Sequence, residues 1–191
     1  ILADGVIGQM MEKVVLPEQR TRLTDEEVIA RCPWATTGRT HHRTPNIITS
    51  LELDPAEMEK RNIHLQKKYA EIEENEVRFE ELHCEDAEYL IVAFGSCARI
   101  AQKAMEMARE EGIKVGLLRP ITLWPFPSKA IAARAAQVKG ILTVELNAGQ
   151  MVEDVRLAVK CKVPVEHFGR LGGIVPDPDE VITALKEKLI K

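Results

Sequence analysis

Short apolar runs alternate with helix-periodic stretches from residue 77 to the carboxyl end, and this alternation constrains the fold more than any other feature. Ile141–Leu146 is apolar and β-branched at most positions, which is typical of a strand covered on both faces. Val152, Val155 and Val159 follow at the spacing of one helix face. We therefore predict a three-layer α/β/α domain with a mostly parallel sheet and right-handed crossovers.

The rest of this domain follows the same alternation. Val77–Leu82 is predicted to be an edge strand, and a turn at Glu85-Asp86 is expected to return the chain antiparallel into the strand Tyr89–Phe94. The remaining predicted elements are the helix Ser96–Glu111, the strand Val115–Leu118, the helix Ser128–Lys139, the strand Val163–Phe168 and the helix Pro178–Leu189. The domain is predicted to cover residues 77–191.

The first 76 residues differ in composition, and they are predicted to form a tail and an arm. Residues 1–15 suggest a strand at Ile1–Ala3 and a short helix or second strand through Met10–Val15. This chain opens inside an apolar run without an initiator methionine, so we expect it to be a fragment of a longer polypeptide.

Residues 16–76 are predicted to form an extended linker and a long helical arm. A short helix at Asp25–Arg31 is expected within the linker, capped by Thr24. Asp54 is the predicted N-cap of the arm, because Pro55 follows at the first helical position and the pattern then continues to Asn75.

Composition excludes several classes of protein. Net charge is −4 and the basic residues are scattered, which argues against a nucleic-acid protein. No apolar run is long enough to span a membrane, and no signal peptide is visible. The widely spaced cysteines indicate reduced thiols and a cytoplasmic protein. Cys32, His41 and His42 fit no common metal-site spacing, so no metal ligand is predicted.

Candidate binding residues lie where strands end and helices begin. Asn147 and Gln150 are expected at such a junction, because helix amino ends expose unpaired N–H groups. Ser96 could cap a helix and, with Arg99, hold a phosphate or carboxylate, although plain capping is the favoured interpretation. Cys97 is close by but has no histidine or acid partner in sequence, and no catalytic residue is predicted in this chain.

Two further loops complete the predicted site. Trp124 and Phe126 belong to a stiff, proline-rich loop, and they either pack on their own domain or form a protein contact. Arg170 lies in a glycine-rich loop where it could clamp an anion or remain a solvated arginine. The predicted surface for a partner or coenzyme A comprises Ser96, Arg99, Arg119, Trp124, Asn147, Gln150, Arg170, Gly172 and Gly173.

Several ordered blocks together resemble the α subunit of 2-oxoacid:ferredoxin oxidoreductases, in particular the 2-oxoisovalerate (3-methyl-2-oxobutanoate) branch. The blocks are Asp4-Gly5 with Gly8–Glu12, Glu71–Val77, Glu85–Tyr89, Arg119–Phe126, Glu145–Arg156 and Gly169–Gly173. The resemblance spans essentially the whole chain but only the carboxyl half of that subunit. It implies the tail of a pyrimidine-binding domain, a linker and a domain like the transketolase C-terminal domain.

The resemblance implies oxidative decarboxylation of a 2-oxoacid with coenzyme A, with electrons passing through thiamine diphosphate and iron–sulfur clusters to ferredoxin. The family's thiamine-activating glutamate, its magnesium site and its cluster cysteines have no counterpart in this sequence. The implied partners are a thiamine-binding β subunit and ferredoxin-like or γ subunits. This fragment is then expected to be inactive alone, with a role in assembly and in shaping the approach to the active site.

The residues leave other functions open. A free-standing module could bind a phosphate-bearing ligand at the edge formed by Ser96, Asn147 and Arg170, and a pure docking scaffold is a third possibility. The substrate could also be 2-oxoglutarate or pyruvate.

Overall fold

The computed structural model describes residues 5–11, 13–35 and 49–190. It divides the chain into two compact units, Ile1–Gln66 and Lys67–Lys191. The predicted strand at Ile1–Ala3 lies outside the described residues. No helix in the described ranges combines the length and apolar character needed to cross a membrane.

The first unit contains two short helices, and the second of them has a local side-chain cap. Helix α1 spans Gly5–Gly8 and α2 spans Asp25–Arg31. The predicted cap of α2 is confirmed: the Glu27 amide donates to Thr24 Oγ1 at 3.3 Å, and the Thr24 amide donates to Glu27 Oε2 at 2.8 Å. These reciprocal bonds satisfy two amides that a helix start leaves unpaired.

The long helix α3, Pro55–Asn75, has the predicted bounds. Asp54 Oδ1 accepts hydrogen bonds from the amides of Ala56 at 2.8 Å and Glu57 at 3.1 Å. The prediction for Met10–Val15 is wrong, since its described residues form neither helix nor strand and are exposed. Apolar spacing alone does not stabilise so short an element without a surface that covers it.

The second unit contains a five-stranded sheet with the strand order β1-β3-β2-β4-β5. Its strands are β1 Phe79–Leu82, β2 Tyr89–Ala93, β3 Val115–Pro120, β4 Gly140–Glu145 and β5 Val165–Gly169. Its helices are α4 Gly95–Glu110, α5 Ser128–Ala135, α6 Met151–Val159 and α7 Pro178–Leu185, and a π-helical turn, Lys186–Ile190, follows α7. Strands β2 to β5 run parallel, and β1 pairs antiparallel with β3.

The predicted hairpin between the first two strands is wrong. Strand β1 pairs with β3, with Phe79 opposite Pro120 and Leu82 opposite Leu117, and makes no pairs with β2. Strand β2 is apolar and buried from Leu90 onward, so both of its edges pair with parallel strands inside the sheet. The more exposed and acidic β1 lies at the edge, as predicted.

Two apolar layers cover the sheet, one on each face, and they confirm the three-layer architecture. One contains sheet residues Ile91 and Leu142 with Met105 of α4 and Leu185 of α7. The other contains sheet residues Leu90, Val92, Leu118 and Ile141 with Ile131 of α5 and Val155 of α6. Helices α4 and α7 therefore share one face, and α5 and α6 share the other.

Candidate functional site

The strand order reverses between β2 and β4, and the loops after these two strands begin side by side. Ala93 at the end of β2 lies opposite Val144 of β4. The helix after β2 packs on one face of the sheet and the helix after β4 packs on the other. In open α/β sheets this divergence creates a crevice at the carboxyl edge, where ligands commonly bind. We call the loops after β2, β4 and β5 the rim, comprising residues 94–96, 146–150 and 170–177.

The Glu145 side chain occupies the amino end of α6. This residue is only 1% exposed, and its Oε2 accepts from the amides of Gln150 at 3.2 Å and Met151 at 2.8 Å. Its Oε1 accepts from the Val152 amide at 3.0 Å. The prediction that this helix end exposes unpaired amides is therefore wrong, because the chain supplies its own carboxylate there. A carboxylate at this position interacts favourably with the helix dipole.

A histidine from the neighbouring strand links the buried carboxylate to the rim. His167 Nδ1 lies 3.5 Å from Glu145 Oε1 and 3.3 Å from Thr143 Oγ1. Its Nε2 lies 3.3 Å from the carbonyl oxygen of Asn147, which can only accept a hydrogen bond. Hydrogen on Nε2 satisfies the Asn147 contact. The ring fixes the backbone of the β4–α6 loop against β5.

The same loop is held by its own turn and by close packing of β5. Asn147 Oδ1 accepts from the Gly149 amide at 2.7 Å. A side chain at Gly169 would place its Cβ 2.2 Å from the Asn147 carbonyl oxygen, a distance no Cβ tolerates. The predicted binding residue Asn147 thus builds the rim through its backbone and side chain, and its role toward a ligand remains a prediction.

The predicted clamp Arg170 already has an acidic partner. Its Nη1 donates to Glu180 Oε1 at 2.9 Å, and its backbone amide donates to the Glu145 carbonyl at 3.3 Å. Gly172 and Gly173 follow with φ of +65° and +85°, so this turn uses the positive-φ conformation that glycine allows. An anion that binds Arg170 would share its guanidinium with Glu180 or replace that carboxylate.

Helix α4 begins one residue earlier than predicted, and Ser96 is not its N-cap. Gly95 has φ of +56°, and Phe94 occupies the N-cap position without a side-chain hydrogen bond. The positive φ of Gly95 turns the chain directly from β2 into the helix. Ser96 and Arg99 thus lie in the first turns of α4.

The proline-rich loop places its two aromatic rings differently. Phe126 is half-buried against the apolar layer of α5 and α6, whereas Trp124 remains 54% exposed. The Trp124 ring stands edge-on to Tyr69, with centroids 5.6 Å apart. Arg119, at the end of β3, pairs with Glu80 at 3.0 Å. Phe126 therefore packs on its own domain, which is one of the two predicted alternatives, whereas the Trp124 ring remains exposed.

The titratable groups outside the rim with shifted pKa values are held by burial or by ion pairs. Burial, followed by the charge of Glu81, raises the pKa of the Cys84 thiol to about 11. A bidentate hydrogen bond from Arg134 lowers the pKa of Glu81 below its ordinary value of 4.5. Cys97 is 3% exposed. In the part of the chain that the structure describes, no three His, Cys, Asp or Glu side chains gather as a metal site would require, and His41 and His42 fall outside it.

Glu145 and His167 are the site residues that the sequence analysis missed. One signal was visible: a glutamate within an otherwise apolar strand that is predicted to be covered on both faces. A buried carboxylate needs hydrogen-bond donors, and an amide-rich helix start a few residues later could supply them. Nothing in the sequence marks His167, because its partners lie on another strand.

Comparison with known proteins agrees with this fold. Residues 87–181 match the family model described as pyruvate:ferredoxin oxidoreductase core domain II. The chain is 43% identical over 187 residues to the ketoisovalerate oxidoreductase subunit VorB of Methanothermobacter marburgensis, covering 98% of this chain and 51% of the relative. It is 31% identical over 180 residues to the 2-oxoglutarate synthase subunit KorA of Archaeoglobus fulgidus, covering 93% and 49%.

Two solved structures share this fold. A 2-oxoglutarate:ferredoxin oxidoreductase from Magnetococcus marinus, with 2-oxoglutarate, coenzyme A and succinyl-CoA bound, superposes with a TM-score of 0.64 and 26% identity, covering 78% of this chain and 28% of that one. A split-gene transketolase superposes with a TM-score of 0.51 and 20% identity, covering 59% and 41%, which shows the shared fold alone.

These matches define a class: oxidoreductase subunits with a transketolase-like α/β/α domain. The chain belongs to the family of 2-oxoacid:ferredoxin oxidoreductase subunits, as its sequence motifs predicted. It spans about half the length of the curated relatives it matches.

Proposed function

We propose that this polypeptide works as part of the α subunit of a ferredoxin-dependent 2-oxoacid oxidoreductase of the 2-oxoisovalerate type. Such an enzyme converts a 2-oxoacid and coenzyme A into an acyl-CoA and CO₂ and passes two electrons to ferredoxin. The observation that carries the proposal is 43% identity over 98% of the chain to a ketoisovalerate oxidoreductase subunit. Identity to a 2-oxoglutarate synthase subunit is lower, at 31%, which favours the branched substrate.

The described residues of this chain do not fit the family's thiamine diphosphate, magnesium or iron–sulfur clusters. Cys84 is buried in the connection between β1 and β2 and Cys97 is buried on α4, and the described residues offer no cluster of three metal-ligating side chains. We assign those groups to other parts of the complex, including a thiamine-binding β subunit and ferredoxin-like subunits. When bound there, thiamine diphosphate would supply the carbanion chemistry of decarboxylation.

The proposed contribution of this chain is to build the rim and present it to the rest of the enzyme. The rim backbone is fixed by Glu145, His167 and the Asn147 turn, which limits its freedom before a partner or coenzyme A arrives. A loop ordered in advance loses less entropy on binding. Asn147, Gln150 and Arg170, with Ser96, Arg99, Gly172 and Gly173, are the proposed contact residues. Catalytic groups are proposed to lie elsewhere.

The test is reconstitution of the natural-length subunit with its partner chains, followed by 2-oxoacid-dependent reduction of a viologen dye. We expect faster turnover with 3-methyl-2-oxobutanoate than with 2-oxoglutarate or pyruvate, and none with the 191-residue chain alone. Preference for 2-oxoglutarate would reject the substrate assignment, and turnover by this chain alone would reject its proposed role.

Asn147→Ala and Arg170→Ala are expected to lower turnover, whereas Lys103→Ala on the exposed face of α4 is the matched control.

The rival function as a free-standing phosphate-binding module has less support. The α6 amides are occupied by Glu145, and Arg170 is paired with Glu180. Calorimetry on the 191-residue chain is expected to detect no tight binding of coenzyme A or thiamine diphosphate. A docking scaffold remains a second candidate because Trp124 and Leu171 expose apolar surface. It would be favoured if Trp124→Ala abolished assembly while Asn147→Ala left turnover unchanged.

We also propose a cytoplasmic location. Its support is that all four cysteines are free thiols in the structure, which suits a reducing compartment.

A further inference from the structure

A groove of about 960 Å³ lies beside the Trp124 loop. Its lining consists of Ala70, Glu73, Glu74, Val77, Phe79 and the segment 124–130. All of these residues belong to the second unit. The volume lies near the upper end of the range for ligand pockets, but the groove is open to solvent. An extended chain suits such a shape better than a compact small molecule.

The groove has a rigid aromatic surface. Trp124 is 54% exposed and Phe79 is 40% exposed, while Pro125 and Pro127 are buried beneath them. Thr122 holds the loop, since its Oγ1 donates to the Pro125 carbonyl at 2.8 Å and accepts from the Arg78 amide at 3.0 Å. Large exposed rings on a fixed loop bind a partner with little loss of side-chain entropy.

The other wall of the groove is acidic. Glu73 and Glu74 are exposed on the last turns of α3, and within the described residues neither side chain has a hydrogen bond or ion pair. Lys129 is the one cation among the lining residues, so the lining carries a net negative charge. The Trp124 indole N–H also lacks a partner in the described residues and can donate to a carbonyl oxygen. An acidic wall rejects nucleic acid and favours a cationic side chain.

We propose that this groove binds an extended segment of a partner protein in which proline or aliphatic residues precede arginine or lysine. The apolar residues stack on Trp124 and Phe79, as in the recognition of polyproline segments by aromatic grooves. The cationic residues pair with Glu73 and Glu74. This inference rests on the docking role proposed above for Trp124 and names the kind of partner segment that it would bind. Its test measures binding alone, so failure would leave the oxidoreductase assignment standing.

The test uses two peptides, acetyl-Pro-Leu-Pro-Pro-Arg-Arg-amide and its Glu-Glu counterpart, added to the ¹⁵N-labelled 191-residue chain. The chain has two tryptophans, and their indole signals are assigned with the Trp34→Phe variant. We expect the arginine peptide to shift the Trp124 signal in a saturable way and to leave the Trp34 signal unchanged. The glutamate peptide is expected to have no effect.

Charge removal separates the proposal from non-specific apolar binding. The double variant Glu73→Gln/Glu74→Gln is expected to weaken binding about fivefold, the size of two exposed ion pairs. The control Glu57→Gln/Glu59→Gln removes the same charge from the same helix and is expected to bind like the unaltered chain. Equal binding by both double variants, or equal shifts with both peptides, would overturn the proposal. A Trp124 shift that depends on protein concentration without peptide would identify a second copy as the occupant and would also overturn it.

Discussion

At the residue scale, the buried carboxylate of Glu145 has the largest structural role in the rim. It accepts three backbone hydrogen bonds from the first amides of α6 while only 1% exposed. Most helix starts use a serine, threonine or aspartate adjacent to the helix for this purpose. Here the acceptor comes from the preceding strand, so a single side chain joins β4, the rim loop and α6.

We predict that Glu145→Ala lowers the free energy of unfolding by about 3 kcal/mol, because three buried or half-buried amides lose their acceptor. Glu145→Gln should cost about half as much, since the amide retains one acceptor oxygen. Urea unfolding followed by circular dichroism measures both. Glu153→Ala, on the exposed face of the first turn of α6, is the control and should stay within about 0.5 kcal/mol. Equal losses for Glu145→Ala and Glu153→Ala would contradict the capping role.

A second residue-scale prediction concerns pH. Arg134 lowers the pKa of Glu81 from 4.5, so the ionised carboxylate stabilises the fold above that value, and the gain is lost as pH falls through the lowered pKa. Glu81→Gln should therefore destabilise the protein by about 1 kcal/mol at neutral pH. The difference from the unaltered chain should shrink below about pH 4.

Urea midpoints of both proteins across this pH range test the prediction. The adjacent Glu80→Gln is the control, because the ion pair of Glu80 with Arg119 is more exposed and should contribute less. A difference for Glu81→Gln that stayed constant down to pH 3 would show that packing, and not charge, is responsible.

At the scale of elements, sequence signals predicted helix caps whose partners lie within a few residues. They did not predict contacts between segments farther apart in the chain. Thr24 and Asp54 were recognisable caps, because the amides they accept from follow two or three residues later. Glu145 was not recognisable, because its donors lie five to seven residues away across a loop. The partner of β1 was mistaken for a related reason. Both β2 and β3 offer an apolar edge, and only the packed sheet selects β3.

Close approach between the end of β5 and the β4–α6 loop gives an element-scale prediction. Gly169→Ala would place a Cβ 2.2 Å from the Asn147 carbonyl oxygen and 2.7 Å from His167 Nε2. We expect a loss of about 2 kcal/mol in the free energy of unfolding, as for other overpacked sites. Amide signals of the rim should shift in the same variant. Gly8→Ala, with no atom within 4 Å of the added carbon, is the control and should change little.

At the scale of the whole molecule, the boundary between the units lies within α3, at Gln66–Lys67. The sequence placed the start of the domain at residue 77, after the helix, because the helix is mostly charged. The last turns of α3 belong to the second unit, and there Tyr69 contacts Trp124. The start of the domain at residue 77 stays a prediction, and the Tyr69–Trp124 pair is a contact of α3 that no periodicity marks.

We predict that residues 67–191 fold as an independent, cooperative unit. Residues 77–191 should also fold, but with a free energy of unfolding lower by about 1 kcal/mol, because the Tyr69 edge-to-face contact is lost. Urea unfolding of the two fragments provides the comparison, and Tyr69→Ala in the longer fragment should reproduce the loss. Identical stability of the two fragments would contradict this contribution of Tyr69 and would support the predicted domain start at residue 77.

Because the α6 amides depend on the Glu145 carboxylate, a variant that lacks it should be open to chemical rescue. Glu145→Ser would leave a small cavity at the amino end of α6, lined by amide donors that have lost their carboxylate acceptor. Formate, which reproduces the missing carboxylate group, should enter that cavity and raise the melting temperature of Glu145→Ser in proportion to the logarithm of its concentration, while formamide at equal concentration should not.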